Sequence, residues 1–106
     1  MSPLAPTEAS ALLATLPAWQ ADLAAGKITR TFRFDDFAQA FGFMAEMATV
    51  SERMNHHPEW FNVYRLVDVT LTTHDVGGIS ERDIAWARAA DAAFARRLPS
   101  SPQSGV

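Results

Sequence analysis

The chain of 106 residues contains no cysteine. That excludes disulfide staples, thiolate-ligated zinc or iron–sulfur centres, and a thiol nucleophile. Lysine is reduced to Lys27, which leaves one candidate for Schiff-base chemistry. A basic surplus is missing as well. Nine Lys and Arg face twelve Asp and Glu, a net charge of −3, and that balance argues against a nucleic-acid partner. No apolar run approaches the roughly 20 residues of a bilayer span, so no membrane role is expected. Met1 to Leu16 lacks the basic start of a signal peptide, and a cytoplasmic location is expected. There is no P-loop, no GxSxG elbow, no GxGxxG and no HExxH. Histidine is scarce, with three residues in all: the adjacent His56 and His57, and His74. Chemistry near neutral pH would fall to these three first.

What is present is an ordinary globular composition, 48% hydrophobic and 20% charged. The length fits one domain over residues 1–106, with the Ser/Pro-rich stretch 99–106 as a flexible tail. A domain this small and without disulfides often gains stability by association, so a homo-oligomer is expected, either dimer or tetramer.

The hydrophobic pattern predicts seven elements. Thr7 can cap a first helix that runs to about Leu16 and stops at Pro17. Trp19–Ala24 and Ile28–Phe34 alternate around a Gly26-Lys27 turn and read as a β-hairpin. Asp35 to about Asn55 reads as one long amphipathic helix, with Phe37, Phe41, Met44 and Ala48 as its core stripe. Pro58 ends it by restricting His57. Glu59–Tyr64 and Leu66–Thr73 alternate again. In the latter, Val67, Val69 and Leu71 face one way and Asp68, Thr70 and Thr72 the other. Ser80 and Asp83 form a capping box for a third helix. Its Ile84, Ala87, Asp91, Phe94 and Leu98 share a side, and Arg96 and Arg97 suit its C-terminal end. The order α-β-β-α-β-β-α predicts an α+β fold: a four-stranded antiparallel sheet with helices packed on one face. Its open edges add to the case for a homo-oligomer.

The candidate chemistry is Glu52, His56, His57 and His74, with Asp75 and Asp83 close by in sequence. Glu52 and His56 are four apart and would share a helix face. A carboxylate and a helix C-terminus both favour imidazolium, which would equip His56 to donate a proton. If the fourth strand ends near that terminus, His74 joins the same spot. The capping box by itself accounts for Asp83. A three-histidine metal site would need both adjacent imidazoles aimed at one ion, and no metal is expected.

The stretch His56-His57-Pro58-Glu59-Trp60-Phe61-Asn62-Val63-Tyr64 resembles the signature of the pterin-4a-carbinolamine dehydratases. Thr73-His74-Asp75 and Gly78-Ile79-Ser80-Glu81-Arg82-Asp83 follow at that family's spacing. Phe34-Asp35-Asp36-Phe37 and Phe41-Gly42-Phe43-Met44 resemble the start of its long helix, and Trp19 stands where it usually has tryptophan. The resemblance implies a 4a-hydroxytetrahydrobiopterin dehydratase, a hydro-lyase that forms quinonoid dihydropterin in tetrahydropterin recycling. It implies a pterin substrate and no cofactor. Carried over, substrate contacts would come from Asn55, His56, His57, Thr72, Thr73, His74 and Asp75. His56 and His74 would be acids, and His57 would bind the pterin and take or relay the N5 proton. Glu52, Arg82 and Asp83 would stand behind them and orient imidazoles. Asn55 replaces an acidic residue common in some relatives. Some relatives are also protein partners that stabilise transcription-factor dimers, so a non-catalytic interaction module on the same fold is the alternative.

Overall fold

The computed structural model describes residues 3–73 and 77–97. The elements follow the expected order: α1 (Pro6–Leu13), β1 (Gln20–Asp22), β2 (Lys27–Arg33), α2 (Phe37–Met54), β3 (Glu59–Val63), β4 (Leu66–Leu71) and α3 (Glu81–Ala95). The expected tail and Leu98 lie outside the described residues. Among those residues no helix is long and apolar enough to cross a membrane.

The strands form one sheet in the order β1-β2-β4-β3, antiparallel throughout. α2 carries the chain from β2 to the far edge, and a tight hairpin brings β4 back into the centre. Across β2 and β4, Ile28 faces Leu71, Arg30 faces Val69 and Phe32 faces Val67. This row forms the inner face, and α2 and α3 pack on it with Phe43, Met47, Ile84, Trp86 and Ala90. Phe32 stands at the centre, its ring 4.8 Å from that of Phe43 and 5.3 Å from that of Phe94. Arg30 also points inward. Its guanidinium lies over Phe32, and it donates to Asp91 at 2.6 Å, as the Trp19 indole does at 2.8 Å. The ion pair satisfies a charge that its strand position commits to the core side.

Several boundaries shift from expectation for local reasons. α1 begins at Pro6, whose fixed φ suits a first helical position. Thr7 therefore lies inside the helix, and the Ala5 N–H donates to the Glu8 carboxylate instead. α2 starts after Asp36, which accepts from the Gln39 amide. The expected core stripe of α2 is wrong in phase. Phe37 and Phe41 are 49% and 59% exposed, and the buried row is Ala40, Phe43, Met47 and Ser51. β3 turns Trp60 and Asn62 inward and leaves Phe61 and Val63 outside. Tyr64 has left the strand with φ 53°, in the β3–β4 turn. The Asn62 amide closes that turn by donating to the Tyr64 and Leu66 carbonyls. The Ser80–Asp83 capping box is present as read.

Candidate active site

One hydrogen bond sets the register between the two long helices. The buried Trp86 indole N–H of α3 donates to Ser51 Oγ of α2 at 2.8 Å, and Ser51 donates onward to the Met47 carbonyl. Asp83 lies one turn before Trp86, and the end of α2 lies one turn after Ser51. The N-terminus of α3 therefore meets the C-terminus of α2. Opposite helix ends favour opposite charges, so an imidazole on one and a carboxylate on the other complement both dipoles.

α2 closes on Asn55, which adopts the left-handed conformation (φ 51°, ψ 45°). The His56 amide donates back to the Ser51 carbonyl at 3.0 Å, as at many helix C-termini. Asparagine tolerates this geometry better than any residue but glycine. Asn55 is exposed, and its left-handed backbone reverses the chain.

The reversal separates the adjacent histidines. His56 is buried, and its Nε2 lies 2.6 Å from Asp83 Oδ1. His57 is exposed, and its Nε2 lies 2.6 Å from Glu52 Oε2. The sequence expectation paired Glu52 with His56 at i, i+4. That pairing needs the helix to continue. It ends at Met54, and the left-handed turn hands Glu52 to His57 and delivers His56 to a carboxylate 27 residues away. Two imidazole–carboxylate pairs result, one fully enclosed and one in water.

Asp83 does more than cap. Its Oδ2 accepts from the Ser80 amide at 2.9 Å and from the Thr73 hydroxyl at 2.7 Å. Thr73 and Ser80 hydroxyls also meet at 2.7 Å, and the Arg82 amide donates to Ser80 Oγ. Thr73, Ser80 and Asp83 are all buried. The cluster ties the chain just past β4 to the start of α3, and Thr73 and Gly78 pair by backbone hydrogen bonds. His74 and Asp75 lie between these anchors but outside the described residues. Arg82 is half-buried beside Asp83.

Thr72 faces the other side of the sheet, and its hydroxyl donates to the Gly26 carbonyl at 2.7 Å. Gly26 has φ 71°, and a Cβ there would lie 3.0 Å from Gly78 Cα. The β1–β2 turn thus packs backbone to backbone against Gly78. Beside Thr72 lies an open depression of about 330 Å³, lined by Ala25, Lys27, Glu59, Thr70, Thr72 and Gly77. Sequence reasoning places neither Lys27 nor Glu59 among the substrate contacts. The signals were there: Lys27 is the sole lysine, and Glu59 stands inside the histidine signature.

Comparison with known proteins matches the chain over most of its length. A family model described as pterin 4 alpha carbinolamine dehydratase matches residues 2–93. A Rhizobium etli protein named for pterin-4-alpha-carbinolamine dehydratase is 55% identical over 92 residues, covering 87% of this chain and 91% of its own. A Novosphingobium aromaticivorans protein of the same designation is 56% identical over 86 residues, covering 81% and 90%. The crystal structure of a transcriptional coactivator/pterin dehydratase from Brucella melitensis superposes with a TM-score of 0.84 at 46% identity, covering 88% of this chain and 99% of that one. A pterin dehydratase-like protein identified as a RuBisCO assembly factor shares the fold, with a TM-score of 0.63 at 24% identity over 73% of this chain and 92% of that one.

Proposed function

The chain belongs to the pterin 4 alpha carbinolamine dehydratase family, and on that premise we propose that it dehydrates 4a-hydroxytetrahydropterin to quinonoid dihydropterin by histidine acid–base catalysis. The observation that carries the reading is the pair of imidazole–carboxylate contacts at the end of α2, each 2.6 Å long and on separate carboxylates. The reaction needs an acid and a base near neutral pH and nothing else. A base takes the N5 proton. The electron pair released at N5 closes the C4a=N5 bond, the C4a–O bond breaks with its pair on oxygen, and an acid protonates that oxygen so that it leaves as water. Atoms and charge balance without an oxidant or cofactor.

In this reading His56 and His74 are the acids. His57, exposed and oriented by Glu52, binds the pterin and takes the N5 proton. Asn55, Thr72 and Asp75 contribute ring contacts, and the depression beside Thr72 is of the size that small ligands occupy. The setting is tetrahydropterin recycling in the cytoplasm by a homodimer or homotetramer. A protein-interaction role remains the second reading, favoured by one observation: Phe37 and Phe41 stand exposed side by side on α2, ring centroids 6.0 Å apart.

A stopped-flow assay with 4a-hydroxytetrahydropterin generated in situ tests the enzyme. The protein should accelerate dehydration over the buffer rate, and no acceleration would remove the catalytic reading. His57→Ala and His74→Ala should each lose rate while keeping the wild-type melting temperature. Full activity in both would remove the residue assignment.

A further inference from the structure

Asp83 is fully buried and touches no histidine but His56 among the described residues. Its Oδ2 takes one hydroxyl, that of Thr73, and one backbone amide, that of Ser80; behind them stand the Ser80 hydroxyl and the Arg82 amide, and backbone amides can only donate. That fixes the direction of every hydrogen bond in the cluster. The Ser80 amide donates to Asp83 Oδ2, and the Arg82 amide donates to Ser80 Oγ. A carboxylate has no proton to give, so the Thr73 hydroxyl must spend its own on Asp83 Oδ2. Thr73 then has only a lone pair left for Ser80, and the Ser80 hydroxyl donates to it. The chain runs one way, from Arg82 through Ser80 and Thr73 to Asp83. The remaining oxygen, Oδ1, also accepts, and what faces it at 2.6 Å is His56 Nε2.

We infer that Asp83, held in place by Thr73 and Ser80, fixes His56 with a proton on Nε2, so that His56 exchanges protons with substrate through Nδ1 alone. Nδ1 has no hydrogen-bond partner among the described residues. Asp83 and Thr73 are positioning residues. Thr73 is thereby reassigned: its hydroxyl is consumed inside the protein, and the resemblance-based role as a substrate contact passes from that group. The same logic governs serine hydrolases, where a buried carboxylate sets the tautomer of the catalytic imidazole. The part that His56 plays in turnover rests on the dehydratase reading above, whereas its tautomer does not.

Asp83→Asn is the decisive variant. The Ser80 amide cannot reverse, so the new side chain must keep its carbonyl oxygen at the Oδ2 position. Its NH2 then faces His56, where Nε2 must accept and the proton must move to Nδ1. Ring-nitrogen NMR of the full chain labelled with ¹⁵N-histidine reads this directly, with His56 assigned through the His56→Gln variant. In the neutral ring, the wild type should show a protonated Nε2 and a lone-pair Nδ1. Asp83→Asn should show the reverse, with kcat reduced by about a hundredfold or more. A wild-type ring protonated on Nδ1, or an Asp83→Asn ring unchanged from the wild type, overturns the inference. Should Asp83→Asn fail to fold, Thr73 carries the test. Thr73→Val should lower kcat and leave KM unchanged, and Thr73→Ser should restore it. A KM rise with unchanged kcat would return Thr73 to the substrate and overturn its positioning role. A wild type without dehydratase activity would remove the functional reading and leave the tautomer result standing.

Discussion

Asp83 and Glu52 face neighbouring imidazoles at the same distance and differ in everything that makes a contact matter. The Asp83–His56 pair is 0% and 7% exposed, and the Glu52–His57 pair 78% and 55%. Removing one partner of an enclosed pair leaves the other charged or polar group without solvent, at a cost of about 3–5 kcal/mol. Asp83→Ala also loses the acceptor for the Ser80 amide, one half of the α3 capping box, so it should destabilise the fold by at least that range in urea titrations. Glu52→Ala should shift the same curve by under about 1 kcal/mol, because water already screens its pair. A small effect at Asp83 would mean that His56 is not held as described. Of these roles the sequence discloses half. Ser80 and Asp83 announce a cap because capping chemistry spans three residues. The bond to His56 spans 27, and no local pattern encodes it.

α2 shows how a helix can be foreseen and its orientation misjudged. Phe37, Phe41, Met44 and Ala48 recur at helical spacing, and so do Ala40, Phe43, Met47 and Ser51. Periodicity alone does not rank two apolar stripes, and the brighter one, with two phenylalanines in sequence, faces out. Ser51 disguises the true stripe, since a polar residue joins the core only because Trp86 and the Met47 carbonyl satisfy its hydroxyl. Phe43→Ala should cost about 3–5 kcal/mol, as expected for a fully buried aromatic among Phe32 and Phe34. Phe41→Ala should cost within about 0.5 kcal/mol at concentrations where the chain is monomeric. Equal losses in chemical denaturation would contradict the phase of the helix seen here.

For the molecule as a whole, the sheet order leaves β3 at one edge and β1 at the other. β3 offers Phe61 and Val63 on its open side, and α2 offers Phe37 and Phe41. Exposed apolar groups of this size on so small a chain are what association would cover. Sedimentation velocity at tens of micromolar should therefore find an oligomer, and the double variant Phe37→Glu/Phe41→Glu should sediment as a smaller species. A monomeric wild type would remove the oligomer from the functional reading.

The sequence by itself determined the seven elements, the hairpins, the α3 cap, the α+β class and the histidine signature with the family it resembles. These are legible because their causes act between residues a few positions apart: a side-chain period, a proline, a turn, a cap. Only the tertiary structure decided which stripe of α2 is buried, which carboxylate serves which histidine, and that Thr73 is spent inside the protein. Those outcomes depend on where α2 ends and on the Ser51–Trp86 contact, which spans 35 residues. The left-handed turn at Asn55 then hands Glu52 to His57 and leaves His56 to Asp83.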